Sequence, residues 1–169
     1  MEMSACPGCG AVLPGPATSS ERRSSASDAC RAVRAEVAGY ELGHLAEVGQ
    51  WHQLVVDTYG AQHPSDAGPA IGTAFGLIGL HLALVDGRSG IEVRDAHQLL
   101  ANRYRDWPRF PAPVDRGRLT IVDLALAADP SGYVETLHRW AGDVWSAWDE
   151  QHAAVAALIR ARLPLAATG

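Results

Sequence analysis

Two cysteines in the run Cys6-Pro7-Gly8-Cys9-Gly10 stand close enough for their sulfurs to meet at one point. Two intervening residues let the chain turn back on itself, and a glycine after the second thiol frees the backbone to aim N–H groups at sulfur. Such a turn supplies half of a tetrahedral zinc site. A third thiol, Cys30, follows Ser27, which is suited to cap a helix starting at Asp28. Cys30 would then sit in the first helical turn, where the positive end of the helix dipole favours a thiolate. The competing chemistry for a CxxC pair is dithiol redox exchange, which belongs at a helix start in an alternating strand–helix pattern, and that pattern is absent. Zn2+ held by Cys6, Cys9, Cys30 and one further group is therefore expected. His52 and His63 lead as the fourth ligand, with His44 or a water left open. On one unbroken helix His52 and His63 would be roughly 16 Å apart, so a single ion could take only one of them.

A second set of candidates lies further along. His52, His81 and His152 fall on apolar stripes of three different predicted helices. Three inward imidazoles could form an open metal site, with Asp57 or Asp149 as ligand or as acceptor behind a ligand. The plain alternative is that each is a core histidine bonded to a backbone carbonyl. His52, Asp57, Tyr59, His81 and His152 form the candidate catalytic set, and His97 and His138 read as surface or boundary residues. Trp140, Trp145 and Trp148 crowd one helix; Trp145 lies off its main stripe and could line a pocket or a partner surface. The chain has no glycine-rich phosphate loop after a strand, no GxSxG and no HExxH.

The elements that must position these groups read as helices. Residues 1–26 are rich in Pro, Gly and Ser, and a metal is a reason for such a segment to order. A helix over about 45–62 carries Leu45, Val48, His52, Val55 and Tyr59 on one face and stops at Pro64. The next, capped by Ser65 or Asp66 with Pro69 in its first turn, runs to about Asp86 and is apolar nearly all round, which makes it the central element. A helix over about 92–104 leads into a proline-rich loop at 107–113. Thr120 and Asp123 form a capping-box pattern, and Asp129-Pro130 opens a last helix running to about Arg162. No segment reads as a strand. The fold class is all-α, about five helices in a bundle over 27–165, with 1–26 as a metal-binding leader.

Bulk properties narrow the function classes. A chain of 169 residues with 47% hydrophobic and 20% charged residues suits one soluble domain. Its net charge of −5 argues against general nucleic-acid binding. All 14 basic residues are arginine, in keeping with a GC-rich bacterial coding bias. The start lacks the basic and apolar regions of a secretory signal, and the longest apolar run, 71–85, is interrupted by Thr73, His81 and glycines, so no membrane span is expected. A cytoplasmic location follows, where an odd number of cysteines suits metal ligation better than disulfides.

Cys6-Pro7-Gly8-Cys9-Gly10, Cys30, Trp51-His52, Val56-Asp57-x-Tyr59, Ala61-Gln62-His63-Pro64, Leu77-Ile78-Gly79-Leu80, Leu119-Thr120 and Trp140-Ala141-x-x-Val144-Trp145-x-Ala147-Trp148, ending in His152, together resemble an uncharacterised family of small bacterial proteins. The resemblance spans nearly the whole chain and implies a metal-binding protein with no assigned reaction. Members often carry a His just before the Leu-Ile pair, where this chain has Gly76, and a His pair where it has Gln151-His152. His81 is the obvious substitute for the first. Three functions are therefore carried forward: a zinc-tied helical protein, a metal- or histidine-dependent enzyme acting on a small-molecule ligand between the central helices, and a module presenting Trp145 and the proline-rich loop to a protein partner. A homo-oligomer stays open.

Overall fold

The structure, a computed structural model, describes residues 2–164; the expected bundle boundary at 165 lies outside that range. The described chain is predominantly helical, as the apolar periodicities imply. Its elements are β1 (Met3–Ala5), β2 (Val12–Pro14), α1 (Asp28–Gly43), α2 (Leu45–Val48), α3 (His52–Gln62), α4 (Ile71–Leu84), α5 (Gly90–Arg103), α6 (Ile121–Ala125), α7 (Pro130–Ala147) and α8 (His152–Arg162). Short 3-10 turns, Gly49–Trp51 and Asp149–Gln151, precede α3 and α8. No described helix is long and apolar enough to cross a membrane.

Helices α3 and α4 form the centre, with α7 against α3 and α8 against α4. Leu77, Ile78, Leu80 and Leu82 of α4, Trp140 of α7 and Val155 of α8 are all at most 1% exposed. Glycines let α4 lie against α3. A Cβ at Gly76 would fall 2.8 Å from the Ala61 nitrogen and 2.9 Å from the Asp57 carbonyl, both backbone atoms of α3. Gly72, about one turn earlier at the start of α4, has nothing within 4 Å of its own Cβ position. Gly76→Ala is therefore expected to destabilise the protein by about 1–3 kcal/mol through overpacking. Gly72→Ala should be neutral or stabilising by about 0.5–1 kcal/mol through the helix propensity of alanine. Urea denaturation of both variants checks the contrast; equal midpoints would contradict the close crossing.

Several sequence expectations need correction. Residues 2–15 contain a small antiparallel hairpin, with Met3 opposite Pro14 and Ala5 opposite Val12, where no strand was expected. Three-residue strands are too short to announce themselves by alternation. The helix expected over 45–62 breaks at the turn Gly49–Trp51, which brings the Gln50 carbonyl so near Gly90 that a Cβ there would lie 2.6 Å from it. The break turns Leu45 and His52 outward: Leu45 is 60% exposed and the His52 side chain 53%. Helix α4 starts at Ile71 without a side-chain cap, and Ser65 Oγ instead donates to the Arg22 carbonyl. The 65–70 segment is used to hold the leader: Gly68 packs against Arg23, where a Cβ would lie 2.9 Å from its Cα.

The expected last helix is likewise two, α7 and α8, parted at Trp148. The Trp148 indole N–H donates to the Ala61 carbonyl at 3.1 Å, satisfying one of the orphan acceptors in the last turn of α3. That tertiary bond and the full burial of the ring win over helix continuation. Caps read from sequence stand where expected: Ser27 accepts from the Cys30 amide, Thr120 and Asp123 form a capping box, and Asp129 caps α7 with Pro130 in its first turn.

Candidate metal centre

The hairpin exists to present two thiols. Its connection, Cys6 to Ala11, is closed by the Cys6 amide donating to the Ala11 carbonyl and the Gly10 amide donating to the Cys6 carbonyl, both 2.8 Å. Gly10 takes φ 76°, a left-handed conformation that glycine adopts without steric cost. Gly8 is required for a different reason: a Cβ there would lie 2.2 Å from His63 Cδ2, so only a bare Cα lets the turn close over the imidazole. Cys30 enters from the first turn of α1, whose Ser27 cap also donates its amide to Cys6 Sγ at 3.3 Å. His63 enters from the C-terminal end of α3, before Pro64.

The ligand atoms of Cys6, Cys9, Cys30 and His63 all lie within 4.8 Å of one another, and all four residues are buried. Cys9 Sγ and Cys30 Sγ are 3.9 Å apart, and Cys30 Sγ is 3.4 Å from His63 Nε2. Tetrahedral zinc with ordinary bond lengths needs about 3.8 Å between sulfurs and about 3.6 Å from sulfur to nitrogen. The cluster therefore has the spacing to hold a metal ion. His63 is preset for it: its Nδ1–H donates to the Tyr59 carbonyl at 2.8 Å, which leaves the Nε2 lone pair facing the sulfurs. Tyr59 Oη also donates to Cys30 Sγ at 3.7 Å.

Electrostatics agree with thiolate chemistry. Hydrogen bonds from the Cys30 and Cys9 thiols push Cys6 far below the ordinary thiol range. Cys30 is pushed up because it donates to Cys6 and Cys9 and is buried. Without a cation the three sulfurs thus share protons; with one, all three could ionise. Burial, then the Cys30 charge, raise Tyr59, which stays a neutral donor. On the outside of the turn, Arg116 Nη1 donates to the Pro7 and Gly8 carbonyls at 3.3 and 3.1 Å and places a positive charge beside the sulfurs.

Of the histidines weighed as fourth ligand, the fold brings only His63 to the sulfurs. His52 Nδ1 pairs with Glu41 at 2.7 Å, and His44 Nδ1 meets the Tyr40 carbonyl at 3.0 Å. The three-imidazole arrangement of His52, His81 and His152 does not form: among the described residues the four-residue cluster is the one group of metal-ligating side chains that converges. His81 and His152 instead flank Trp145, at 5.8 and 3.8 Å between ring centroids, and Trp145 is 9% exposed between the two imidazoles. Tyr59 borders the metal cluster, and Asp57 lies in a separate buried polar group with Gln53 and His97. His97, expected as a surface or boundary residue, is buried at 8% exposed.

Gly8, Arg116 and Gln62 carry parts of the site that sequence spacing did not single out. Gln62 is fully buried beside His63 and binds the chain that delivers Arg116, donating to the Arg116 and Leu119 carbonyls at 3.0 and 2.8 Å. Nothing local in the sequence marks these three, because the burial of the Gln62 amide and the approach of Gly8 and Arg116 are set by segments distant in the chain.

Neither the curated proteins nor the solved structures contain a match to this chain. A family model does match, over residues 4–149, from β1 to the turn after α7, and so includes all four converging ligands. The chain belongs to the family of unknown function DUF5946.

Proposed function

We propose that the protein is a zinc-binding helical protein in which Cys6, Cys9, Cys30 and His63 hold one Zn2+ that ties the N-terminal hairpin to the bundle. The observation that carries this is the convergence of four buried ligand atoms within 4.8 Å from three separate segments. Three sulfurs and one imidazole are the soft, tetrahedral donor set that zinc prefers, and calcium or magnesium would demand oxygen. Four protein ligands leave no open position for water or substrate, so the ion is structural in this reading and the activity stays unassigned. Three thiolates around a divalent ion leave one negative charge, which the Arg116 guanidinium offsets. Unpaired thiols of this kind suit a reducing compartment, which supports the cytoplasm as the location.

Metal analysis of protein purified without added metal tests the reading. One zinc per chain is expected. Cobalt substituted for it should give the thiolate charge-transfer bands and the intense visible absorption of a tetrahedral Cys3His site. His63→Ala should bind with altered spectrum, and His52→Ala should leave stoichiometry and spectrum unchanged. Iron in place of zinc, or metal content insensitive to Cys9→Ser, would overturn it.

A further inference from the structure

Residues 104–109, between α5 and the proline-rich stretch, build an aromatic wall outside the core. Pro108 and Pro111 keep this loop out of helix, and Phe110, 9% exposed, anchors it. Trp107 is thereby laid against Phe75 of α4, edge to face at 5.0 Å between ring centroids, and stands edge-on to Tyr104 at 6.4 Å. The Arg162 guanidinium, at the end of α8, lies 4.5 Å from the Tyr104 ring centroid and 5.0 Å from that of Trp107. Asp106 holds it there, its carbonyl and carboxylate accepting from Nη1 and Nη2 at 2.7 and 3.2 Å. Neither Phe75 nor Arg162 lines the space in front of the two rings, so the wall is fixed from behind and bare in front.

That space is an open cleft of about 500 Å³, within the roughly 300–1,000 Å³ range of small-molecule sites. Pro69 and Ile71 at the start of α4 and Ala101 of α5 form its apolar sides, and Tyr104 and Trp107 its aromatic one. Its charged lining is Arg105 and Arg109 alone, in a protein whose net charge is −5. Each guanidinium is steadied by main chain and keeps donors to spare. Arg109 Nη2 donates to the Gly68 carbonyl at 2.9 Å, beside Pro69. Arg105 Nη1 donates to the Ala101 carbonyl and, at 3.2 Å, to that of Tyr104. Among the described residues neither arginine pairs with a carboxylate, whereas Arg162 behind the wall does. Two positive forks beside two aromatic rings, with no acid in the lining, complement an anion that has a flat apolar body.

We infer that this cleft binds a flat aromatic oxyanion, a carboxylate or phosphate monoester, with the oxyanion at Arg105 and Arg109 and the ring against Trp107 and Tyr104. A guanidinium presents parallel N–H donors that match two oxygens of either group, so both ends of such a ligand find a counterpart. A ring without the oxyanion, or an oxyanion without the ring, satisfies only one side of the cleft. Because Trp107 is already held by Phe75 and Arg162, little side-chain ordering is left for the ligand to impose. The site uses none of Cys6, Cys9, Cys30 and His63, and its failure would leave the zinc reading untouched.

The test titrates the zinc-loaded, full-length protein with naphthoate and with naphthyl phosphate, followed by NMR and calorimetry. Naphthylmethanol keeps the rings without the charge, and acetate and inorganic phosphate keep the charge without the rings. One-site, saturable binding of a naphthyl oxyanion is expected, with shifts centred on the Trp107 indole and Ala101; the tighter of the two identifies the oxyanion. Each control should bind at least roughly tenfold more weakly, the loss of a charged hydrogen-bond pair or of the stacked rings. Arg105→Gln with Arg109→Gln should weaken binding by roughly tenfold or more, and Trp107→Leu should weaken it as well. Naphthylmethanol that binds as tightly as the anions overturns the inference, since the rings alone would then account for binding. So does a double arginine variant that binds as wild type, or a response to both naphthyl oxyanions that never saturates. If Trp107→Leu does not fold, the control ligands and the arginine variants decide, because both arginines are exposed.

Discussion

Stripping the metal with a chelator, or replacing Cys30 by serine, is expected to release residues 2–27 while the helical bundle stays folded. The leader has little else to hold it. Its two three-residue strands are too short to be stable alone, and its one buried apolar anchor outside the thiols is Ala26. A structural zinc contributes on the order of 10 kcal/mol to the order of the segment it closes. Losing it also returns three crowded sulfurs to sharing protons. The bundle, by contrast, buries Leu77, Ile78, Leu80, Leu137 and Trp140 with no help from the metal. Trypsin reports the difference: Arg22 and Arg23 are exposed, yet their backbone is held by Ser65 and Gly68. Cleavage after either should speed up at least tenfold in the metal-free protein, with nearly unchanged helical circular dichroism. Equal protease resistance with and without metal would mean that the thiols do not staple the leader.

The second large effect is expected from Gln62→Leu. The substitution conserves volume and adds apolar surface, yet it removes three hydrogen bonds at once. Trp140 Nε1 loses its acceptor at 2.9 Å, and the Arg116 and Leu119 carbonyls lose their donor. Each buried group left unpaired costs about 1–3 kcal/mol, so a loss of roughly 3–5 kcal/mol in unfolding free energy is expected after partial relaxation. Trp140→Phe breaks one of the three bonds and should cost less through hydrogen bonding, although it also loses ring volume. Gln62 holds the segment that carries Arg116 onto the hairpin turn, so Gln62→Leu should also accelerate zinc loss to a chelator. Denaturant titration and the rate of metal transfer measure the two consequences separately. A variant as stable as wild type would show that water replaces the amide at no cost.

Much of the centre was legible because its chemistry is local. Cys6 and Cys9 are two residues apart, so turn geometry alone brings them together, and Ser27 fixes where α1 starts and thus where Cys30 points. His63 could be narrowed but not chosen, because Pro64 ends α3 without saying what that end faces. His52 was misplaced by extending one helical period across Gly49–Trp51. The periodicity of a stripe assumes an unbroken helix; a single 3-10 turn shifts the phase and moves a predicted inward residue to the surface.

By itself the sequence determined the helical class, the three thiols and the caps of α1, α6 and α7, since composition, a two-residue spacing and side-chain-to-backbone capping act over a few positions. Only the tertiary structure decided that His63 and not His52 meets the sulfurs, that Gly8 gives way to an imidazole, and that Trp148 ends α7 by bonding to α3. It also decided that His97 turns inward to Gln53 and Asp57. The physical reason is the same in each case: these outcomes depend on atoms tens of residues apart, whose approach is set by how glycine-lined α4 packs against α3 and not by any local preference of the chain.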